Sequence, residues 1–302
     1  MLKKDISFCS DFISANKGNK KPLFRWTVGM SRHENTIFLE SVRTMRLLYG
    51  DEVDGVAVFN TSFSKKSFSM IKKYLQRFNV DCIWAEEESL PFKPAMSGWK
   101  FYPPRLRLQS HEIFIDTDLV LLSRGRYIDK FLKSEVCMGN CAFGTSYGVY
   151  EQSVKWMMGR NYQGINAGLF GFPPEYNVEP IIKKHFQGWN NWFDEQGLTV
   201  MLVVGVKHML IPPPYVYNYY NDENSYSKSF RWKYPVDIYR HEIWTDEMEG
   251  FHFCTAGSDG FNPAWLHYCS FPFGEVNKDH DGFKIVGGNW SSGSSRKVVS
   301  LI

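Results

Sequence analysis

Two carboxylates one residue apart, Asp116 and Asp118, interrupt the apolar stretch HEIFIDTDLVLL at residues 111–122. Ile113, Phe114 and Ile115 read as a buried strand, and a strand that ends on two acids needs a partner for their charge. A hard divalent cation such as Mg²⁺ or Mn²⁺ fits, since it prefers carboxylate oxygen and bridges to substrate phosphates. A solvated turn or a helix cap explains an Asp-x-Asp about as well. Three other stretches bear on the choice. In Ile165–Phe172, small residues inside a strand let a ligand approach the backbone, and Asn166 offers an amide beside Ala167 and Gly168; the plain alternative is a glycine-kinked core strand. Asp194-Glu195-Gln196-Gly197 opens an apolar helix, where acids also serve as caps. His252 lies between Phe251 and Phe253, a setting in which histidine is more often a satisfied core residue than a ligand.

The elements that must position these groups alternate along the chain. Strands are expected at Leu23–Met30, Val53–Asn60, Asp81–Ala85, Glu112–Ile115 and Gly164–Phe172. Helices are expected at Thr36–Tyr49, Lys65–Phe78, Glu179–Trp189 and Phe193–Val204, with a helical piece in Lys100–Leu108 up to the Pro103-Pro104 break. Residues 208–220 read as strand and loop, rich in Pro and Tyr. The alternation predicts an α/β fold with a mostly parallel central sheet and helices on both faces. In such sheets ligands bind beyond the carboxyl ends of the strands, where Asp116 and Asp118 fall. Residues 1–22 read as a polar lead-in, 23–270 as the domain, and 271–302 as a Gly/Ser-rich tail.

A chain of 302 residues has room for one large α/β domain or two small ones. Hydrophobic content of 43% and charged content of 22% are those of an ordinary globular protein. A net charge of +3 argues against a nucleic-acid partner or an anionic membrane surface. Six cysteines without a Cys-x-x-Cys pair argue for free thiols in a reducing compartment rather than for zinc. The first residues hold no long apolar run, so neither a signal peptide nor a transmembrane anchor is expected, and the expected location is the cytoplasm. Aromatic content of 17% suits either ring stacking on sugars or a ring-rich core.

The ordered set of Asp116-Thr117-Asp118, then Asn166-Ala167-Gly168, then Asp194-Glu195-Gln196, then His252-Phe253 resembles the GT-A glycosyltransferases. The branch it resembles most is that of glycogenin and the bacterial galactosyltransferases, over roughly residues 24–268. The resemblance implies a GT-A fold and a metal-dependent transferase. It would move a sugar from a nucleotide-diphosphate sugar, a UDP-sugar foremost, to a carbohydrate or other hydroxyl acceptor. It also implies Mn²⁺ or Mg²⁺ held by Asp116, Asp118 and His252, with Asp116 also near the donor ribose. Arg105 would reach the donor sugar or diphosphate. Asn166, Ala167 and Gly168 would line the sugar, and Thr117 would lie with them in the donor site. Val28, Gly29, Met30 and Ser31 would meet the nucleoside. Asp194, Glu195 and Gln196 would sit at the reacting face. Where that family carries a Gly and Lys-Pro-Trp after the late histidine, this chain reads CTAGSDGFNPAWLHY: Trp265 is present and the lysine is not.

A retaining reaction needs no base on the acceptor, and Gln196 beside the sugar suits it. An inverting one needs a carboxylate base, for which Asp194 or Glu195 is available. Two other classes are a sugar-nucleotide-forming nucleotidyltransferase, disfavoured because MSRHEN rather than a glycine-rich loop follows the first strand, and a non-catalytic sugar- or nucleotide-binding module.

Overall fold

Most of the strands form from β-branched and aromatic runs of the chain, and the helices from its 3.6-periodic runs. The computed structural model describes residues 7–29, 34–60, 65–85, 96–142, 146–159, 164–191, 193–212, 215–218, 249–252, 275–277 and 284–286. In chain order the elements are β1 (Ser7–Phe8), α1 (Cys9–Ala15), β2 (Leu23–Val28), α2 (Glu34–Tyr49), β3 (Asp54–Phe59), α3 (Lys65–Arg77), β4 (Val80–Trp84) and β5 (Glu112–Ile115). There follow β6 (Leu119–Leu121), α4 (Arg126–Phe131), β7 (Cys137–Ala142), α5 (Glu151–Met158), β8 (Gly164–Phe172), α6 (Glu179–His185), α7 (Asp194–Val204), β9 (His208–Ile211), β10 (Val216–Asn218), β11 (Gly250–His252), β12 (Glu275–Asn277) and β13 (Lys284–Val286).

The chain divides into two units, the first built from residues 1–30, 51–116 and 130–211, the second from 31–50, 117–129 and 212–302. The sequence reading had expected a single domain over 23–270. The chain passes from one unit to the other between Asp116 and Thr117, inside the acidic motif.

The first unit holds an eight-stranded sheet in the order β1-β4-β3-β2-β5-β8-β7-β9. Pairing is parallel from β1 to β5 and between β7 and β9, and antiparallel on both sides of β8. The sheet is therefore mostly parallel, as expected, with helices around it. Part of the supposed lead-in is structured: Ser7 and Phe8 pair with Ile83 and Trp84 of β4, and α1 follows. Every residue of β8 is buried, which explains its run of small and aromatic residues. Phe114 of β5 stacks on Phe170 of β8 at 4.5 Å and 9°, and Phe101 stacks on Phe170 at 6.0 Å. Each such pair contributes about 0.5–1.5 kcal/mol beyond its buried area. Burial pushes the thiols of Cys82, Cys137 and Cys141 up to about 12, so they are inert at neutral pH.

The amino end of β5 is tied by charge. Glu112 is fully buried and accepts from Arg25 Nη1 at 3.2 Å, Arg105 Nε at 3.1 Å and the amides of Leu106 and Arg107. Arg25 and Arg105 lie 87 and 7 residues away in sequence, so this cluster fixes a long-range register.

The second unit holds a three-stranded sheet, β10 parallel to β11 and β11 antiparallel to β6. α2 packs on β6, with Phe38, Val42, Met45 and Tyr49 buried at helical spacing. Glu249, just before β11, accepts from the Tyr127 amide at 3.2 Å and closes the start of α4. Burial raises its carboxyl to about 7 against those backbone bonds and Arg126, which pull the other way. β12 and β13 form an antiparallel pair within the supposed tail.

Candidate active site

Lys100 ties the chemistry-bearing segments of the first unit together. It sits on the helical turn Met96–Phe101 with its side chain buried. Its ammonium pairs with the carboxylates of Asp116 and Glu195 and donates to the carbonyl oxygen of Ala167 at 3.0 Å. Burial by itself lowers a lysine pKa; here Asp116 and then Glu195 outweigh it and hold the ammonium above its ordinary range. The local structure explains the meeting. The Asp116 amide donates to Gly168 O at 2.8 Å, which extends the β5–β8 pairing one step past Ile115. Asn166 turns its amide oxygen back to the Gly168 N–H at 2.6 Å. Glu195 lies in the first turn of α7, the element packed on β8. The acid motif, the Asn-Ala-Gly strand and the Asp-Glu-Gln helix start therefore meet on one nitrogen.

In the second unit His252 is buried at the end of β11. Its Nδ1 lies 3.0 Å from Asn218 Oδ1 on β10, and its Nε2 lies 3.0 Å from Asp118 Oδ1, just before β6. The register places His252 opposite Leu119 and beside Asn218, so the strand pairing itself delivers the ring. An amide oxygen only accepts, so Nδ1 carries the proton. Nε2 then turns its lone pair to a carboxylate oxygen, and two facing acceptors need either a second proton or a cation between them. An imidazole nitrogen with its other nitrogen anchored, next to carboxylate oxygen, is a donor set that suits a divalent metal such as Mn²⁺.

No protein-family model and no curated protein sequence matches this chain. Solved structures do. The galactosyltransferase LgtC, in complex with donor and acceptor sugar analogues, matches with a TM-score of 0.50 at 12% identity, covering 82% of this chain and 92% of that one. An active-site mutant of LgtC matches with a TM-score of 0.50 at 10% identity over 92% and 95% of the two chains. The bifunctional glycosyltransferase WbbM, in its apo form, gives 0.52 at 11% identity over 78% of this chain and 46% of its own. The fold is the GT-A glycosyltransferase fold. At these identities the likeness is one of fold, and any reading of the site stands on its own residues.

The other residues expected at a donor site are placed as follows. Val28 ends β2 and Gly29 follows it; the β2–β5 register ends with Trp26 opposite Ile115, two residues before Val28 and one before Asp116. Met30 and Ser31 lie outside the described residues. Thr117 is buried in the turn between the two acids. Gln196 donates from Nε2 to Ser146 O at 3.3 Å, while its carbonyl oxygen has no hydrogen-bond partner among the described residues.

Two expectations are corrected. Arg105 is not at the donor end. All five of its N–H groups are used within the amino-end cluster, by Glu112 and by the carbonyl oxygens of Pro173, Tyr176, Arg107 and Ser110. Glu112 and Asp116 are four residues apart on a strand, which separates the two ends by roughly 13 Å. Asp194 is not a free acid either: it is fully buried, and its oxygens accept from the amides of Val149 at 2.9 Å and of Asn191 at 2.8 Å, and from that of Asn190. It fastens the turn before α7.

Lys100 and Asn218 are not marked as site residues by the sequence motifs. The signal for Lys100 was its setting, a lone cation between Trp99 and Phe101 in a stretch otherwise apolar. Nothing in Tyr215–Asn218 marks Asn218 as the residue that orients a histidine 34 positions later.

Proposed function

We propose that this chain is a metal-dependent glycosyltransferase. In this reading it transfers a sugar from a nucleotide-diphosphate sugar, a UDP-sugar foremost, to a hydroxyl of a glycan or similar acceptor, with retention of configuration. The observation that carries the reading is His252, fixed by Asn218 on one nitrogen and facing Asp118 on the other. Asp118 and His252 would hold Mn²⁺ or Mg²⁺, with Asp116, two residues before Asp118 in the chain, as the third ligand of this reading. Bound there, the metal supplies positive charge against a diphosphate leaving group.

The chain's own residues do the rest. Asp118 and His252 are preset by the β6–β11–β10 ladder, which lowers the cost of ordering them. Asn166, Ala167 and Gly168 form a wall with little side-chain bulk, against which a sugar ring can lie. Lys100 holds Asp116 and Glu195 in fixed positions beside that wall. In transfer, the bond from the anomeric carbon to the β-phosphate oxygen breaks, the acceptor oxygen bonds to that carbon, and the acceptor proton must find a base. Asp194 is occupied by three backbone amides and Glu195 by Lys100, so neither acid stands free to take it. That supports retention, with the proton passing to the departing diphosphate and Gln196 positioning the sugar. It disfavours the inverting reading, in which Asp194 or Glu195 is the base.

The test is hydrolysis of a panel of sugar nucleotides with Mn²⁺ and with a chelator. The reading expects one donor, a UDP-sugar first, to be cleaved only when metal is present, and the first-formed sugar to keep the donor's anomeric configuration by NMR. Metal-independent cleavage would remove the metal role, and an inverted product would restore Glu195 as the base. No cleavage of any donor, with nucleotide still bound, would favour a non-catalytic binding module.

A further inference from the structure

Trp189 lies outside the charge cluster, yet it touches the segment that carries it. Its indole lies flat on Gly98: a Cβ built there would fall 2.6 Å from Cε2 and 2.9 Å from Cδ2 and Cζ2. The same indole stacks on Phe101, with centroids 6.1 Å and planes 8° apart, and meets Phe186 edge-on at 5.4 Å. Gly98, Lys100 and Phe101 belong to the one helical turn Met96–Phe101. On its other side Trp189 runs directly into the turn that Asp194 fastens, and Glu195 is the next residue. The segments bearing Lys100 and Glu195 are thus joined twice, once by the ion pair and once by the indole.

We propose that Trp189, seated on Gly98, is a positioning residue that locks Lys100 into its pairs with Asp116 and Glu195. Its effect on turnover rests on the glycosyltransferase reading; its effect on Lys100 does not. A lysine reaches its partners on a flexible four-carbon stem, so fixing the ammonium requires fixing the backbone beneath it. A flat ring against a glycine does this, because the contact leaves no room for the turn to slide or rotate. Any side chain at position 98 would lift the indole and let the two charged segments separate. A buried ion pair keeps its strength only while its geometry is held.

The experiment labels lysines with an acylating reagent and reads Lys100 by peptide mass spectrometry, with exposed Lys73 as the internal reference. The wild type, Gly98→Ala, Trp189→Ala, the double variant and Trp189→Phe are compared under native conditions. Lys100 should acylate at least about tenfold faster in Gly98→Ala than in the wild type, with Lys73 unchanged. The double variant should match Trp189→Ala, because removing the indole removes the three atoms nearest the added methyl; such non-additivity marks a shared contact. Trp189→Phe keeps a flat ring and should retain most of the protection, which covers the case in which the alanine variants fold poorly. Sugar-nucleotide turnover should fall in the same order as protection is lost, with little change in KM. Lys100 protected equally in Gly98→Ala and the wild type would overturn the proposal, whether or not sugar nucleotides are cleaved. The expected labelling pattern in a chain that cleaves no sugar nucleotide would instead overturn the glycosyltransferase reading and leave the positioning role standing.

Discussion

The two ends of β5 carry charge clusters of opposite balance. At the amino end two guanidiniums, Arg25 and Arg105, share one carboxylate, Glu112, whose side chain is 0% exposed. At the carboxyl end two carboxylates, Asp116 and Glu195, share one ammonium, Lys100, and the Asp116 side chain is 25% exposed. The amino end is closed: backbone carbonyls take up the N–H groups of Arg105 that Glu112 leaves, and those of Tyr102 and Pro103 accept from Arg25. The carboxyl end has an excess of acid at a partly open position, with Asp118 two residues further on. A surplus of carboxylate next to solvent draws a cation; a surplus of guanidinium satisfied by carbonyls holds a fold. On the proposed reading, acids and cations serve stability at one end of the strand and chemistry at the other.

The comparison breaks if the amino end affects turnover. Glu112→Gln strands two buried guanidiniums and should cost about 3–5 kcal/mol in urea unfolding. Turnover per folded molecule should stay near normal, and a large loss of turnover at unchanged stability would contradict the division. At the other end Lys100→Met should lower sugar-nucleotide turnover by about 10²–10³-fold, the scale of removing one preset charged group from a reacting site. A variant within about threefold of normal would show that Lys100 is only structural.

The smallest expected effect sharpens the contrast from the second unit, where a buried acid lacks a lysine or arginine within ion-pair distance among the described residues. Glu249 titrates near 7 in the fold against 4.5 when unfolded, so the folded state holds its proton more tightly. Its stability contribution is complete below pH 4.5 and is lost as pH rises through about 7. That loss is about 3 kcal/mol. Glu249→Gln should flatten the fall in unfolding free energy across this window. A wild type whose stability does not fall between pH 5 and 7.5, beyond what the variant shows, would contradict the burial of that acid.

Where local pattern and tertiary role agree, the sequence was readable. β5 and β8 are legible at their true bounds, because Glu112–Ile115 and Gly164–Phe172 are mostly apolar and buried along their whole length. α7 was placed to within one residue, since an acidic first turn opens an apolar run. β1 was lost because two residues at a sheet edge become a strand only through pairing with β4. β7, CMGNCA, contains no β-branched residue and carries a buried Asn140, so it has no strand signature of its own. β6 was noted as apolar, but its partner β11 lies some 130 residues later. At the site, the short motifs around Asp116, Asn166 and Glu195 were legible. Arg105 was misplaced because sequence distance from Asp116 does not tell one end of β5 from the other. Lys100 was missed because its three partners come from three separate segments.

The central claim, that the acids after β5 serve a metal and not the fold, is tested most directly by Asp118→Asn. The change is nearly isosteric and removes only charge. Sugar-nucleotide cleavage at saturating Mn²⁺ and thermal unfolding are measured on the same preparation. The account predicts turnover reduced by more than about 100-fold, beyond the 10–100-fold typical of groups that only orient a metal ligand, with Tm within a few degrees of the wild type. Near-normal turnover in that variant, or a collapse of Tm that accounts for the loss, would contradict it.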